Sequence, residues 1–286
     1  MSKPKLIYLH TGCKWSEPWD EAFLKQLWKR GVRCQAMNLE AHYPHEPGAF
    51  IGRLNESCRE LKTVYARQMQ PYQWCWPEVS AFQLYDDKCL QAQWLAQHGY
   101  PQPDFEVVDE GQDCSWDRWP AVMKKPWGSA GKHVRLIDGP EQLDRPCLLQ
   151  EYCPGNVGDF RVTVIGDQVS TIGRWNRPGD FRASGSGELY LTDTEPELAE
   201  LTWNICRQAG WATMGFDVLW HCGRWVITEM SYTWAIYGIT DWTKTMQRMP
   251  MNRREARSEH PVKTLLDYLF ARSETARTKD VLSDLP

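Results

Sequence analysis

Residues 122–137, VMKKPWGSAGKHVRLI, decide how the chain is read. Apolar and β-branched positions flank a run of Gly, Ser and Ala, so the local pattern is two short strands joined by a small-residue loop. Such a loop serves either as a plain hairpin connection or as a cradle of backbone N–H groups for phosphate oxygens, with Lys124 adding a point charge. The stretch alone leaves both readings open, and the segments around it have to decide.

Downstream, the sequence reads as a succession of strands, PAVMKKP, HVRLID, CLLQEY, DFRVTVIG and DQVSTIGRW, with Gly166 and Asp167 at the centre of a hairpin. A helix over 196–210 opens with Pro196 and closes at Gly210. The stretch 215-GFDVLWHCGRWVITEM-230 reads as another hairpin. If His221, Cys222 and Gly223 form its loop, Asp217 stands opposite Ile227 and diagonal to Glu229, with both carboxylates on one face. A two-residue loop sends them to opposite faces. A tail helix in HPVKTLLDYLFARS shows an apolar face of Val262, Leu265, Leu266 and Tyr268 or Leu269.

Upstream, 85-YDDKCLQAQWLAQHGYPQPDF-105 offers Asp86 or Asp87 as a helix cap, a terminating Gly99 and a Pro-marked exit into the strand FEVVD, and it reads as a hinge between lobes. The first eighty residues resemble a small βαβ lobe. Its parts are a strand KLIYLH, a helix capped by Ser16 with Trp19, Phe23, Leu27 and Trp28 at helical spacing before Gly31, a strand VRCQAMNL, and an amphipathic helix over 49–67. The strand-end loops HTGCKW and EAHYPHEPG are candidate substrate contacts, although ordinary connections fit them equally.

The net charge of −4 leaves no global basic footprint and argues against duplex nucleic acid as a partner. Ten cysteines occur without a CxxC pair. Neither His42 and His45 nor Cys147 and Cys153 have partners at zinc spacing, which argues against a structural metal. The opening MSKPKLIYLH lacks the apolar core of a signal peptide, and no apolar run approaches a membrane span, so a reduced cytoplasmic protein is expected. The 16 tryptophans scatter without a repeat, which fits cores and pocket walls; RWNRPGDF and SYTWAIYG suggest an aromatic-walled pocket for a peptide or amino acid.

The runs DDK, AVMKKPWGSAGKHV, LLQEYCPG, GDFRVTVIGDQV, FRASGSG, GFDVL and VITEMS, in that order, resemble the ATP-grasp superfamily. They are most similar to the branch of ribosomal-protein glutamate ligases and related carboxylate–amine ligases. The likeness covers roughly residues 80–240, and the first lobe matches only in size and style. It implies an α/β (α+β) ATP-grasp fold: a substrate lobe over 1–80, a linker helix and small ATP-clamp subdomain over 81–152, and a C-terminal subdomain with the metal and substrate site over 153–286.

The resemblance also implies roles, with ATP and two magnesium ions as cofactors and manganese able to substitute. Lys88 and Lys124 reach the phosphates, and Gly128, Ser129, Ala130 and Gly131 surround them. Lys124 is preferred to Lys125 because it stands four residues before Gly128, the usual offset in this branch. Lys125 then faces the other side of the strand as a solvated charge. Gln150, Glu151, Tyr152 and Cys153 present groups to the adenine, with Val122 and Leu149 as apolar cover, and Asp159 joins the nucleotide site. Arg161, Arg174 and Arg182 belong near the transferred phosphate and acyl group, while Arg177 is a more exposed loop charge. Asp217 and Glu229 hold magnesium, and Ser231 stands where the branch usually has an asparagine, which weakens the second metal position or replaces its ligand by a hydroxyl or a water.

The implied reaction joins a carboxylate to an amine through an acyl phosphate, on an amino acid, peptide or similar small acid. A phosphotransferase and a non-catalytic ATP-binding protein are the rivals. The acid and amine are not readable from the sequence, and a homodimer is compatible with it.

Overall fold

The computed structural model of the chain describes residues 6–11, 17–39, 48–70, 72–128, 131–184, 189–233 and 261–283. It is built on three four- or five-stranded sheets. The first is parallel, in the order β2-β1-β3-β4, from β1 (Leu6–His10), β2 (Arg33–Met37), β3 (Ala49–Gly52) and β4 (Cys75–Trp76). Helices α1 (Glu17–Lys29), α2 (Lys62–Met69) and α3 (Val79–Leu84) accompany it.

The second sheet is antiparallel in the order β5-β8-β6-β7, from β5 (Phe105–Val108), β6 (Ala121–Lys124), β7 (Val134–Ile137) and β8 (Cys147–Glu151). Helix α4 (Lys88–Gln97) leads into it. The third has the order β11-β10-β9-β12-β13, from β9 (Gly158–Ile165), β10 (Gln168–Trp175), β11 (Leu189–Thr192), β12 (Thr213–His221) and β13 (Arg224–Ser231). Helices α5 (Pro196–Ala209) and α6 (Pro261–Ser283) complete the described fold. Apolar packing is continuous from the parallel sheet, through Phe50, Trp76 and Phe82, to Phe216, Tyr232 and Leu266; the β5–β8 sheet keeps a separate core around Met123 and Leu149.

Several expectations are corrected. The helix expected over 49–67 begins as strand β3, followed by a short 3₁₀ helix (Glu56–Leu61) and only then α2. All four β3 residues, AFIG, are buried, as an inner parallel strand requires, and so short an apolar run carries no period that separates strand from helix. In α1, Trp19, Phe23 and Leu27 are buried at i, i+4, i+8, whereas Trp28, one residue further round, is 80 % exposed. In α6, Leu269 rather than Tyr268 joins the fully buried stripe, and Phe270 extends it. Asp87, not Asp86, caps α4 by accepting from the Leu90 N–H at 3.0 Å. Asp86 takes a left-handed φ of 54° instead.

Strands β4 and β11 and helix α3 were not foreseen. Ser16, His42, His45 and most of the loops HTGCKW and EAHYPHEPG lie outside the described residues. Helix α4 is fixed to the third sheet by one side chain: the Gln91 amide donates to Met230 O and accepts from Met230 N, both at 2.8 Å, so it imitates a strand neighbour of β13.

Candidate functional site

Strand alternation builds one wall of a cleft between the second and third sheets. On β6, Val122 and Lys124 face the cleft while Ala121 and Met123 enter the small core, and Gln150, the cross-strand partner of Val122, shares its face. Leu149 pairs with Met123 and is wholly buried in that core, so the expected cover from Leu149 does not form; Phe181 and Leu219 provide apolar lining. Lys125 points away and is held by Asp144, with Nζ 2.7 Å from Oδ1.

The floor of the cleft is the hairpin β12–β13. Its loop is two residues, Cys222 and Gly223, with φ of 48° and 78°, between the paired His221 and Arg224. The ladder runs regularly to Val218 opposite Ile227. Continued, it would set Thr228 against Asp217 and turn Glu229 to the other face, the outcome expected of a two-residue loop. A β-bulge intervenes between Asp217 and Val218, and Glu229 pairs directly with Asp217. The extra residue, Thr228, donates its hydroxyl to Asp217 O at 3.1 Å and accepts from Lys124 Nζ at 2.9 Å. Thr228 was missed in the sequence because a bulge leaves no mark on composition; its signal is the mismatch between a two-residue loop and two carboxylates needed on one face.

Around this floor the ionic groups interlock. Asp217 accepts from Arg161 through both oxygens and lies 2.9 Å from Arg174 Nη2, and Arg174 also forks onto Asp159 with two bonds of 2.6 Å. Burial pushes the Asp217 carboxyl up, but the two guanidiniums together outweigh it and hold the group down to about 2. Asp159 is displaced the other way, by burial and by the neighbouring Asp217 charge against the pull of Arg174. Lys124, 7 % exposed, is pushed down to about 8 by burial and by Lys88, against the opposing pull of Glu229 and Asp217. Lys88 Nζ lies 3.9 Å from Glu229 and donates to Gly128 O at 2.5 Å.

The small-residue loop is only partly described, since Ser129 and Ala130 lie outside the described residues. Gly128, at φ 126°, has its N–H taken by Asp86 Oδ1 at 2.9 Å, so both peptide groups of this residue are held by the DDK motif. Asp86 also accepts from Arg59, whose guanidinium lies over Trp127. At the other end of the loop, Arg182 donates to Gly131 O at 2.9 Å and Val134 O at 3.1 Å and is itself held by Asp180. It spans the mouth of the cleft, which encloses about 120 Å³ in this state.

The remaining expected residues are close by. Tyr152 meets Phe181 edge to face at 6.0 Å between ring centres. Glu151 faces His221 at 3.4 Å, and Cys153 is buried with its thiol pushed up to about 11 by burial. Arg177 is half-buried, with Nη2 bonded to Ser184 O, and is not the exposed charge expected. The Ser231 hydroxyl is directed to Thr233 O at 2.9 Å. Two opposed carboxylates are a donor set that can hold magnesium, an ion that takes one or two carboxylates together with phosphate oxygens. Among the described residues no larger cluster of His, Cys, Asp and Glu gathers for a metal, and no helix is long and apolar enough to cross a membrane.

Comparison with known proteins agrees with this architecture. The fold is similar to D-alanine–D-alanine ligase from Bacillus anthracis complexed with ATP, at 13 % identity and a TM-score of 0.64, covering 96 % of this chain and 99 % of that one. It is similar to D-cycloserine synthetase DcsG, at 14 % identity and a TM-score of 0.66, covering 94 % and 99 %. It is also similar to a RimK domain ATP-grasp protein from Sphaerobacter thermophilus, at 14 % identity and a TM-score of 0.60, covering 92 % and 98 %. No curated protein sequence matches significantly. The RimK-like ATP-grasp domain model matches residues 85–245, more than half of the chain, from the DDK motif through both hairpins of the third sheet, and the chain therefore belongs to that family.

Proposed function

We propose that the chain is an ATP-dependent carboxylate–amine ligase that forms an amide through an acyl phosphate. The observation that carries this reading is the bulge at Thr228, which sets Asp217 and Glu229 on one face of the hairpin, where they line one cleft with Lys124 and pair with Lys88, Arg161 and Arg174. Lys88 and Lys124 are proposed to neutralise the phosphates, and Gln150 to Cys153 to line the base. Asp217 and Glu229 would hold magnesium, which when bound supplies charge neutralisation and alignment of the phosphate oxygens.

In the proposed reaction a carboxylate oxygen of the acid attacks the γ-phosphorus, the bond to the β–γ bridging oxygen breaks, and ADP leaves. The amine then attacks the acyl carbon, phosphate departs with the C–O electron pair, and the amine gives up a proton. No covalent enzyme intermediate is needed; alignment and charge stabilisation lower the barrier. Arg161 and Arg174, both paired with Asp217 beneath the cleft, are proposed to bind oxygens of the transferred group. Residues 1–80 are proposed to contribute acid contacts from the carboxyl ends of β1 and β3, where ligands of open parallel sheets bind.

The test is incubation with ATP, magnesium, hydroxylamine and a panel of amino acids, short peptides and other acids. Hydroxamate formation with ADP release supports the ligase. A stable phosphorylated alcohol, or ATP binding with no acid-dependent ADP release, would replace it by a phosphotransferase or a non-catalytic binder.

A further inference from the structure

The third sheet has a second face, opposite Asp217 and the arginines. Cross-strand partners share a face: Arg161 pairs with Asp217, whereas Phe160 pairs with Gly173 and Val218, Gly173 with Tyr190, and Trp220 with Trp225. Helix α5 covers this second face through Leu198, Thr202 and Ile205. Past Leu198 the face is aromatic. Ring centres lie 4.9 Å apart for Trp175 and Tyr190, 6.4 Å for Tyr190 and Phe160, 5.5 Å for Phe160 and Trp225, and 5.0 Å for Trp225 and Trp220. Trp175 and Trp220 remain 43 % and 46 % exposed, so the strip is not closed over by the described chain.

A recess of about 490 Å³ opens between Phe160, Trp220, Trp225 and the start of α5. Its rim carries Asp193, Glu195 and Glu197, all exposed, and no lysine or arginine among the described residues lines it. Carboxylates near a helix start complement the macrodipole, but that dipole amounts to only about half a positive charge. Glu195 and Glu197 alone exceed it about fourfold, and the excess negative potential lies beside indole faces that attract cations. Guanidiniums stack on tryptophans elsewhere, as Arg207 does on Trp203, but among the described residues none stacks on Trp220 or Trp225.

We infer that this recess and the aromatic strip beside it bind an arginine-bearing peptide segment. A guanidinium fits both elements at once, stacking flat on an indole while forking onto a carboxylate. The strip runs from β11 to β13, four strand spacings or about 19 Å, the reach of about six extended residues, which exceeds a single side chain and suits a peptide. The proposal is independent of the chemistry assigned to the cleft on the other face.

The test is calorimetric titration of the full-length protein with acetyl-Arg-Gly-Arg-Gly-Arg-amide and with the same peptide carrying citrulline at each arginine, which keeps the shape and removes the charge. The expected result is saturable binding to the arginine peptide with Kd below about 1 mM. Loss of at least about tenfold in affinity is expected with the citrulline peptide, with Trp220→Ala and with the double variant Glu195→Gln/Glu197→Gln, each checked for unchanged circular dichroism. ATP affinity should not change in these surface variants. Absence of saturable binding, equal affinity for the citrulline peptide, or unaltered binding by both variants would overturn the proposal. So would sedimentation showing self-association that Trp220→Ala abolishes, since a second copy of the chain would then cover the strip.

Discussion

Lys124 and Lys125 are adjacent in sequence and have opposite fates, because a strand sends neighbours to opposite faces: one amine is buried over the cleft, the other is tied to Asp144 at the surface. That choice was legible from the strand period and the loop offset. The same period places Leu149 in the small core, and its expected contact with the base shows that a pairing register is needed before a face can be assigned. Replacing Lys124 by Met should weaken ATP binding by about 10- to 150-fold, the equivalent of losing one charge-assisted contact, with the fold retained. Equal affinity by calorimetry would remove Lys124 from the site. Its pH behaviour follows from the depressed value of about 8 in the free protein. A phosphate beside the amine favours the charged form, so binding takes up a proton and affinity should fall as pH rises above about 8 while staying level below 7. Glu78 makes a separate prediction. Burial lifts its carboxyl to about 7, despite acceptance from the Ala212 N–H, and its Oε2 has no partner among the described residues. Between the ordinary carboxylate range and 7 the folded chain keeps a proton that the unfolded chain has lost, so stability declines as pH rises through that window and the deficit is complete above it. Glu78→Gln should therefore raise Tm by a few degrees at pH 8 and leave it unchanged at pH 4; an equal shift at both would show that the charge is not the cause.

At the scale of elements, the hairpin β12–β13 was foreseen but its geometry was not. A turn of three residues was the arrangement that placed Asp217 and Glu229 on one face; the actual turn has two, and the bulge at Thr228 supplies the missing residue of register instead. The two solutions have the same consequence for the carboxylates, but only the bulge also turns a carbonyl toward Lys124. Bulges, like the all-buried β3, depend on tertiary pairing, so local pattern does not reveal them. Glu229→Gln keeps the size of the side chain while removing the charge opposite Asp217, and it should abolish turnover with nucleotide binding largely retained; full activity would exclude Glu229 from the metal site. Ser231→Asn should be tolerated or improve magnesium affinity, measured by the metal dependence of nucleotide binding, and a loss of binding would show that the hydroxyl's bond to Thr233 is required. The segment around Arg182 acts on a different element, the loop after β6. Truncation to Ala removes its two bonds to Gly131 and Val134, so hydrogen exchange over residues 131–134 should accelerate and turnover should fall. Unchanged exchange would mean that Arg182 does not hold the mouth of the cleft.

Across the whole molecule, the order of the motifs from DDK to VITEMS made the fold legible, since each motif is ambiguous alone and their succession is not. Most strands of the two antiparallel sheets, and β1 and β2 of the parallel lobe, followed from strand signals, turn residues and helix ends. The sharing of one apolar core by the parallel lobe and the third sheet did not, because Trp76 and Tyr232, which meet edge to face at 5.7 Å, are more than 150 positions apart in the chain. Nor did the aromatic strip on the outer face, whose members come from five strands and acquire meaning only when paired. The acid and amine are not readable from the pattern, which does not reach that level of detail. In the proposed reaction one oxygen atom passes from the acid to phosphate. With the acid identified by hydroxamate formation and labelled with ¹⁸O in its carboxylate, turnover with ATP and the natural amine should release phosphate carrying one ¹⁸O per molecule, read by the isotope shift in its ³¹P spectrum. Unlabelled phosphate would show that the carboxylate never attacked phosphorus and would contradict the account.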